Sequence, residues 1–412
     1  MKRLIFSALS VALLASVTRA ESKNYGITVV GGKEDLTNVL VTVALPDEFK
    51  GGAEFLTAEN QSVAAQATSA SVLSSNKTRE LVFLVPHIRA GQTLKFSAKS
   101  ESESVSRNPL KWHVVDGMEQ LQQGDRPILR YFHKPFDASL TVKGKEETAN
   151  PTTKPFHHLF AADGKTIVTN NNQGQYPHHR GIYFGFNNIS YGEGKKADVW
   201  HCRKGEYTGH EEVLAADVGV LFARQTLQIG WHGQDGQIFA NERRELTLYP
   251  IGNGTLIEWV SELKTPLDKV RLDGDPQHAG FHFRANSAME KNTKETYFIR
   301  PDGKGKPGEE KNWVPKGKAG PVNLPWNAMS FVLDGKRYTV VYLDHPDNPK
   351  EARQSERAYG RIGTYFEYDL TKEKPLKVKY RLWFQEGEPT VAECEAMSKA
   401  FTSPPSAKLA AR

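Results

Sequence analysis

The sequence has only two cysteines in 412 residues, and after its first twenty residues it has no long apolar run. It also lacks a GxSxG elbow, a P-loop, a GxGxxG motif leading into a helix and an HExxH motif, which argues against serine-hydrolase, nucleotide and zinc-peptidase chemistry. No later segment approaches the roughly 18 consecutive apolar residues of a membrane-spanning helix. Lysine and arginine are not clustered, so neither nucleic acid nor an anionic membrane is indicated as a partner.

The first twenty residues, MKRLIFSALSVALLASVTRA, have a basic start, an apolar middle and a small residue, Ala20, at the end. This order is typical of a secretory signal peptide, so we expect residues 1–20 to be removed and the protein to be exported, periplasmic or extracellular. Without the three basic residues of this segment, 51 basic residues remain against 48 acidic ones, and the net charge falls from +6 to +3. The charge of the mature chain therefore indicates no particular partner.

Cys202 and Cys394 are the two cysteines. In an exported chain they can form one disulfide that closes a long loop. They can equally be separate small residues, because a large β-rich domain does not need a covalent crosslink. The sequence leaves both alternatives open.

Short runs with β-branched and aromatic residues, separated by Gly, Pro, Asn and Asp, extend over nearly the whole chain. We predict an all-β protein in which a small β-sandwich, residues 21–105, precedes a large antiparallel two-sheet supersandwich, residues 106–404. Residues 405–412 are predicted as a tail. A serine-rich polar segment at 99–108 places the boundary, and the segment TVAECEAMSKAFTSP is the one convincing helix.

Nine of the 13 histidines fall between His157 and His282, which marks a candidate site. In DPQHAGFHFRA, strand alternation places His278, His282 and Arg284 on one face and the phenylalanines on the other. His278 and His282 are about 13 Å apart along a strand, so this pair cannot chelate one metal ion. A solvated outer face is the alternative to a cleft.

In YPHHRGIYFGF, residues 176–186, Ile182 and the phenylalanines form the packing face of a strand, and Tyr183 lies on the other face. The glycines are expected to leave space for a ligand above that polar face. His178 and His179 are adjacent, so alternation directs them apart; we expect His179 to face the cleft and predict no metal site.

Further candidate residues lie around ADVWHC, where Asp198, Trp200 and His201 combine a carboxylate, a ring surface and a titratable group. Trp200 can stack on a sugar or pack in the core. Asp198 and Asp275 are the best candidates for a pair of catalytic carboxylates.

The motifs KPFHHLF, YPHHRGIYFGF, ADVWHC, LDGDPQHAGFHFRA and YLDHPDNPKEARQSERAYGRIGTYF resemble a family of exported bacterial proteins of unknown function that is often labelled "methane oxygenase PmoA". The resemblance extends from about Arg126 to Pro404 and implies a shared fold and site. The membrane subunit of that name crosses the bilayer several times, and this chain has no such segment. The strand inventory also resembles galactose mutarotase-like proteins, a group that includes epimerases and polysaccharide lyases, and this is a fold-level analogy.

From these residues we predict a carbohydrate-active enzyme, a polysaccharide lyase or a glycoside hydrolase, acting on a carbohydrate polymer or oligosaccharide. A noncatalytic glycan-binding protein and a metal-dependent oxidoreductase are the alternatives. The sequence identifies no cofactor. The predicted catalytic residues are His179, His278, His282, Tyr183, Asp198 and Asp275. The predicted substrate-binding residues are Arg180, Arg284, His158, Trp200, His201 and Arg361.

Overall fold

The computed structural model describes residues 24–49, 55–58, 61–72, 78–99, 109–141 and 150–411. The predicted signal peptide and the predicted domain boundary at residue 105 lie outside the described residues. Within them, no helix is both long enough and apolar enough to cross a membrane.

Nearly all of the regular structure is β-strand. The first six strands are β1 (Asn24–Val30), β2 (Leu36–Ala44), β3 (Phe55–Ala58), β4 (Gln61–Thr68), β5 (Glu80–Ile88) and β6 (Thr93–Lys99). The next thirteen are β7 (Leu110–Val115), β8 (Met118–Gln123), β9 (Arg126–Phe132), β10 (Phe156–Leu159), β11 (Ile182–Phe186), β12 (Asn188–Tyr191), β13 (Lys195–Ala197), β14 (Tyr207–Val218), β15 (Ala223–His232), β16 (Ile238–Ile251), β17 (Gly254–Lys264), β18 (Val270–Asp273) and β19 (Ala279–Arg284).

The remaining nine strands are β20 (Tyr297–Arg300), β21 (Gly303–Lys304), β22 (Trp326–Leu333), β23 (Lys336–Asp344), β24 (Arg353–Arg357), β25 (Arg361–Tyr365), β26 (Tyr368–Leu370), β27 (Leu376–Glu386) and β28 (Ser406–Ala411). Short 3-10 helices span Ala138–Leu140 and Ser287–Glu295. The α-helix α1 (Val391–Thr402) begins after Thr390, whose side chain forms a capping box with Glu393. This helix lies within the predicted helical segment.

Two large antiparallel sheets form the main body. The eight-stranded sheet has the order β24-β25-β19-β11-β10-β9-β8-β7, and the nine-stranded sheet has the order β14-β15-β16-β17-β27-β23-β22-β20-β21. Phe184 and Phe281 of the first sheet share one core with Trp231 and Trp259 of the second. A four-stranded sheet, β13-β12-β18-β26, completes this part of the chain. The predicted all-β class with a two-sheet supersandwich is therefore confirmed.

Strands β1 to β6, together with β28, form a separate seven-stranded sheet. It has its own apolar core, which includes Ile27, Val41 and Phe83. This is the small β-sandwich that was expected ahead of the large one. Its seventh strand is β28, which pairs with β1 from Tyr25↔Ala411 to Val30↔Ser406. The segment predicted as a tail is thus an edge strand, because its alternating residues Ala407 and Leu409 pack against the small core. The domain boundaries themselves remain a prediction.

Candidate functional site

The site is built on one face of two neighbouring strands, β11 and β19. Ile182 pairs with Phe283, and Phe186 pairs with Ala279. As predicted from alternation, Phe184, Phe281 and Phe283 enter the core between the sheets. Tyr183 and His282 pair directly with each other and lie on the opposite face. That opposite face is covered by loops, so it is not a solvated outer surface.

Three loop segments meet over this face. His178 and His179 come from the turn that precedes β11, His201 from the turn after β13, and His278 from the turn that precedes β19. The antiparallel pairing places His278 and His179 at opposite ends of β11. Their ring centroids are nevertheless 5.3 Å apart, so the loop that carries His179 folds back across the sheet.

These four histidines form what we call the imidazole cluster. The centroid of the His178 ring lies 4.2 Å from the ring centroid of His179, 4.6 Å from that of His201 and 5.2 Å from that of His278. His201 and His278 are 4.5 Å apart. Nitrogen atoms of His178, His179 and His278 all lie within 4.8 Å of one another. The expectation that His178 and His179 point apart is therefore wrong, because they lie in a turn where strand alternation does not apply.

Two aspartates hold the outer two imidazoles. Asp198 Oδ2 is 2.8 Å from Nδ1 of His201, and both carboxylate oxygens of Asp275 are 3.0 Å from Nδ1 of His278. Each aspartate also caps its own turn, since Asp198 Oδ1 accepts from the backbone N–H of His201 and Asp275 Oδ1 from that of Gln277. Both carboxylates thus orient an imidazole through its Nδ1, and such a partner fixes the ring and its tautomer.

Burial keeps most of these imidazoles neutral. Desolvation lowers the pKa of His178 and takes that of His179 well below its usual value, and neighbouring positive charge adds to both effects. Desolvation also lowers the pKa of His278, although Asp275 opposes the shift. For Asp275, burial raises the pKa, but the hydrogen bond and charge of His278 outweigh it and bring the value to about 2.

The cluster has a buried inner side and a more open outer side. Only 4% of His178 and 2% of His179 are exposed, whereas 20% of the His278 side chain and 39% of the Asp275 side chain are exposed. Half-buried Tyr176 and Tyr359, with centroids 4.6 Å apart, flank the cluster, and the Tyr359 ring is 6.1 Å from that of His179. Two tyrosine rings thus border the cluster.

Below the cluster lies a buried floor. The indole of Trp200 is 4.7 Å from the His282 ring and 5.7 Å from the His179 ring. Arg361 is fully buried and donates from Nη1 to Nδ1 of His282 at 2.9 Å. Trp200 and His282 therefore lie buried beneath the cluster, and their predicted roles in stacking and catalysis stay predictions.

Two residues that the sequence did not single out fix the loop that carries His178 and His179. The buried ammonium of Lys154 donates to the carbonyls of His178, at 3.0 Å, and of Trp200, and desolvation lowers its pKa to about 7. Asn170 Nδ2 donates to the carbonyl of His179 at 3.0 Å. These bonds tie the first loop to the second. Lys154 lies in the KPFHHLF motif, but the sequence did not indicate its role or that of Asn170, because both side chains bond to main-chain carbonyls of residues distant along the chain.

Several predicted site residues have other roles. The Arg180 guanidinium donates to the carbonyls of Asn150, at 2.7 Å, and Pro151, so it is a buried structural group and not an anion stabiliser at the surface. Arg284 pairs with Glu290 at 2.5 Å. The Tyr183 hydroxyl donates to the carbonyl of Val199 at 2.7 Å.

His158 is also away from the cluster, since its Nδ1 is 3.1 Å from the Thr169 hydroxyl. The predicted space above the glycines is filled by the protein itself. A Cβ at Gly185 would lie 2.7 Å from the Tyr183 ring, and one at Gly280 would lie 2.0 Å from the Thr364 carbonyl oxygen. Cys202 and Cys394 are separate, buried thiols.

A second group of histidines surrounds Tyr131, and we call it the Tyr131 stack. The rings of His133 and His157 stack on Tyr131 at 4.7 and 4.6 Å, and Nδ1 of His210 is 3.2 Å from the Tyr131 hydroxyl. His157 is fully buried between the sheets and also meets Trp259 edge to face. No aspartate or glutamate is hydrogen-bonded to these three imidazoles among the described residues.

A cavity of about 380 Å³ lies at the junction of the small and large sandwiches. Its charged side chains already pair with each other: Arg224 with Glu80 at 3.2 Å, and Arg381 with Glu258. Most of the charged groups that line the cavity are therefore ion-paired, and the imidazole cluster remains the stronger candidate site.

The chain belongs to a protein family of unknown function, DUF6807, whose sequence profile matches residues 119–399. A search of curated proteins finds no match. The matched region contains the whole imidazole cluster. Membership of this family does not indicate which reaction, if any, the site catalyses.

Solved structures show more distant similarity. An α-mannosidase from Enterococcus faecalis V583 has a TM-score of 0.46 at 10% identity, covering 94% of this chain and 46% of that one. A glycosyl hydrolase family 38 protein from Enterococcus faecalis has a TM-score of 0.45 at 10% identity, covering 94% of this chain and 48% of that one. The chain thus spans about half the length of these two proteins. A protein assigned as a mutarotase (YeaD) from Salmonella typhimurium has a TM-score of 0.29 at 10% identity, covering 69% of this chain and 96% of that one.

Proposed function

We propose that this protein is an exported carbohydrate-active enzyme whose proton-transfer group is His201, held by Asp198. The observation that carries this proposal is the pairing of His201 Nδ1 with Asp198 at 2.8 Å on the outer side of a cluster of four imidazoles. A carboxylate on Nδ1 fixes the tautomer and presents Nε2 to a ligand, which is the arrangement of a general base.

The geometry favours β-elimination over hydrolysis. Glycoside hydrolysis by the common routes uses two carboxylates that face the scissile bond. Here Asp198 and Asp275 are both engaged with an imidazole and with the backbone of their own turn. The two carboxylates predicted as a catalytic pair therefore act as positioning residues in this proposal.

In the proposed reaction, Nε2 of His201 removes the proton next to the carboxylate of a uronic acid. The carbon–oxygen bond to the neighbouring sugar breaks, a carbon–carbon double bond forms, and the departing oxygen takes up a proton from water, while His201 returns its own proton to the solvent. The transition state places negative charge on the uronate, which must be stabilised. The stabiliser in this proposal lies where His178, His179 and His278 come together. Tyr176 and Tyr359 offer ring surfaces for the sugar.

The test is a screen of the purified protein against uronic-acid polysaccharides, monitored by the ultraviolet absorbance of the unsaturated product. We expect turnover by the wild type, and a loss of about 10²- to 10⁴-fold for His201→Ala, the usual contribution of a general base. His113→Ala, at an exposed position in β7, is the matched control and is expected to keep full activity. Binding of the polysaccharide without any turnover would instead indicate a noncatalytic glycan-binding protein.

A further inference from the structure

Three imidazoles of the cluster are arranged like the ligands of a metal ion. Nitrogen atoms of His178, His179 and His278 lie within 4.8 Å of one another, and the three residues come from two different loops. We infer that His178, His179 and His278 bind one divalent transition-metal cation. Neutral imidazole is a good ligand for Zn²⁺, Cu²⁺, Fe²⁺ and Ni²⁺, and three histidines are a known set for catalytic zinc.

The distances require only a small closure of the rings. Zinc–nitrogen bonds of about 2.1 Å in a tetrahedral site place two nitrogen atoms roughly 3.4 Å apart. A pair at the upper limit of 4.8 Å would therefore approach by roughly 1.4 Å, which rotation of the side chains can supply. The backbone that carries the rings is already fixed, since Lys154 holds the His178 carbonyl and Asn170 holds the His179 carbonyl.

Two further observations point to a ligand at this place. Nδ1 of His179 is buried and has no hydrogen-bond partner among the described residues, although a buried polar atom normally has one. Nδ1 of His278 is bonded to Asp275, which leaves Nε2 for the ion. A carboxylate on the far nitrogen of a ligand histidine is the usual outer partner in metal sites, where it orients the ring and increases its basicity.

A three-histidine site leaves at least one position open for another ligand. The more exposed side of the cluster, at His278 and His201, is where that position would face. A cation there would attract a carboxylate or hydroxyl oxygen of the substrate and stabilise negative charge as it develops. This role rests on the proposed function, whereas the binding of the ion does not. His201, with its own aspartate, would then stand beside the ion as the base.

The direct test is isothermal titration of the metal-free, full-length protein with Zn²⁺, together with the visible absorption spectrum of the Co²⁺ form. We expect one ion per chain, and intense Co²⁺ bands typical of a four-coordinate nitrogen site. His179→Ala and His278→Ala are expected to lose more than about 100-fold in affinity, because outer-shell partners alone contribute 10- to 100-fold. His113→Ala is the control and should bind like the wild type.

Absence of stoichiometric Zn²⁺ or Co²⁺ binding by the wild type would overturn the inference, and so would unchanged binding by both alanine variants. If an alanine variant does not fold, the Co²⁺ spectrum of the wild type decides, since the weak bands of six-coordinate Co²⁺ would contradict the proposed four-coordinate site. These measurements use no substrate. Metal binding without turnover of any polysaccharide would therefore refute the proposed function alone, and turnover that persists after complete metal removal would refute the catalytic role of the ion.

Discussion

The molecule contains two groups of histidines that look alike in the sequence and differ in the fold. In the imidazole cluster, two rings are held by aspartates and the nitrogens converge. In the Tyr131 stack, the rings of His133 and His157 lie face to face on a tyrosine, and both nitrogens of His157 lack a hydrogen-bond partner among the described residues. Carboxylate partners direct imidazole nitrogens toward a common point, whereas stacking uses the ring faces. We therefore assign chemistry to the first group and packing to the second.

The largest expected effect separates the two groups by activity. His201→Ala should reduce turnover by about 10²- to 10⁴-fold, since it removes the proposed general base. His157→Phe should leave turnover within about twofold of the wild type, because a phenyl ring can keep the stacking on Tyr131. Initial rates of both variants on the same polysaccharide make the comparison. Equal losses in the two variants would show that the division into a chemical and a packing group is wrong.

The next largest effect is a change in the free energy of unfolding when His157 of the Tyr131 stack is replaced. His157→Ala should destabilise the protein by about 3 kcal/mol, because it leaves a cavity between the two sheets. His157→Phe should change the free energy of unfolding by less than about 1.5 kcal/mol, since it keeps the ring and removes buried polar atoms that have no partner. Chemical denaturation of the two variants measures both values. If the phenylalanine variant were the less stable one, the imidazole nitrogens would have an essential partner.

A third prediction concerns pH and uses a buried histidine outside both groups. Burial lowers the pKa of His158 to about 4, with Arg130 adding to the shift. The folded state therefore binds this proton less tightly than the unfolded state, whose histidine pKa is about 6.5. The stability that follows from this difference is complete above pH 6.5 and is lost as the pH falls toward 4. By pH 5 we expect a loss of about 2 kcal/mol from this residue.

The measurement is the free energy of unfolding at several pH values for the wild type and His158→Gln. Between pH 6.5 and pH 4, the free energy of unfolding of the variant should depend less steeply on pH than that of the wild type. The difference in slope should correspond to one proton fewer bound on unfolding. An unchanged slope would mean that His158 is protonated in the folded protein.

The smallest expected effect is on the affinity for Zn²⁺, and it tests whether a carboxylate partner distinguishes the imidazole cluster from the Tyr131 stack. Asp275→Asn keeps the size of the side chain and removes its charge, so the His278 ring loses its carboxylate partner. We expect the affinity for Zn²⁺ to fall by about 10- to 100-fold without loss of the fold. Titration calorimetry measures this change. An affinity equal to that of the wild type would show that the aspartate only caps its turn.

Strand alternation and composition were sufficient to predict much of the fold. The all-β class, the inward phenylalanines of β11 and β19 and the helix near the C-terminus follow from local periodicity. The pairing of β28 with β1 did not follow, because it joins residues 25 and 411, which no local pattern connects.

The candidate site was predicted in part. His179, His201 and His278 were identified, and the structure brings them together. The sequence did not predict that His178 joins them. We had applied strand alternation to His178 and His179, but these residues lie in a turn, where side chains do not alternate between two faces. One signal was present in the sequence: Asp198 and Asp275 each precede a histidine by three residues, and in both turns the aspartate accepts a hydrogen bond from that histidine ring. Two such pairs within one histidine-rich region indicate oriented imidazoles.

For two arginines, the position in the sequence was not a guide to their contacts in the fold. Arg180 and Arg284 were expected to bind an anionic substrate, and their position in the sequence next to the histidines supported this. In the fold both guanidinium groups are buried and are used by main-chain carbonyls or by Glu290. Whether an arginine faces a substrate or its own backbone depends on the loops that cover it, and these contacts join residues that are distant along the chain.

The central claim is that the imidazole cluster binds a ligand and the Tyr131 stack does not. A crystal of the protein grown with Zn²⁺, with diffraction collected at the zinc absorption edge, tests this claim most directly. We expect one strong anomalous peak about 2.1 Å from nitrogen atoms of His178, His179 and His278, and no peak near His133, His157 or His210. A protein with full zinc occupancy at the Tyr131 stack, or with no peak at the imidazole cluster, would contradict it.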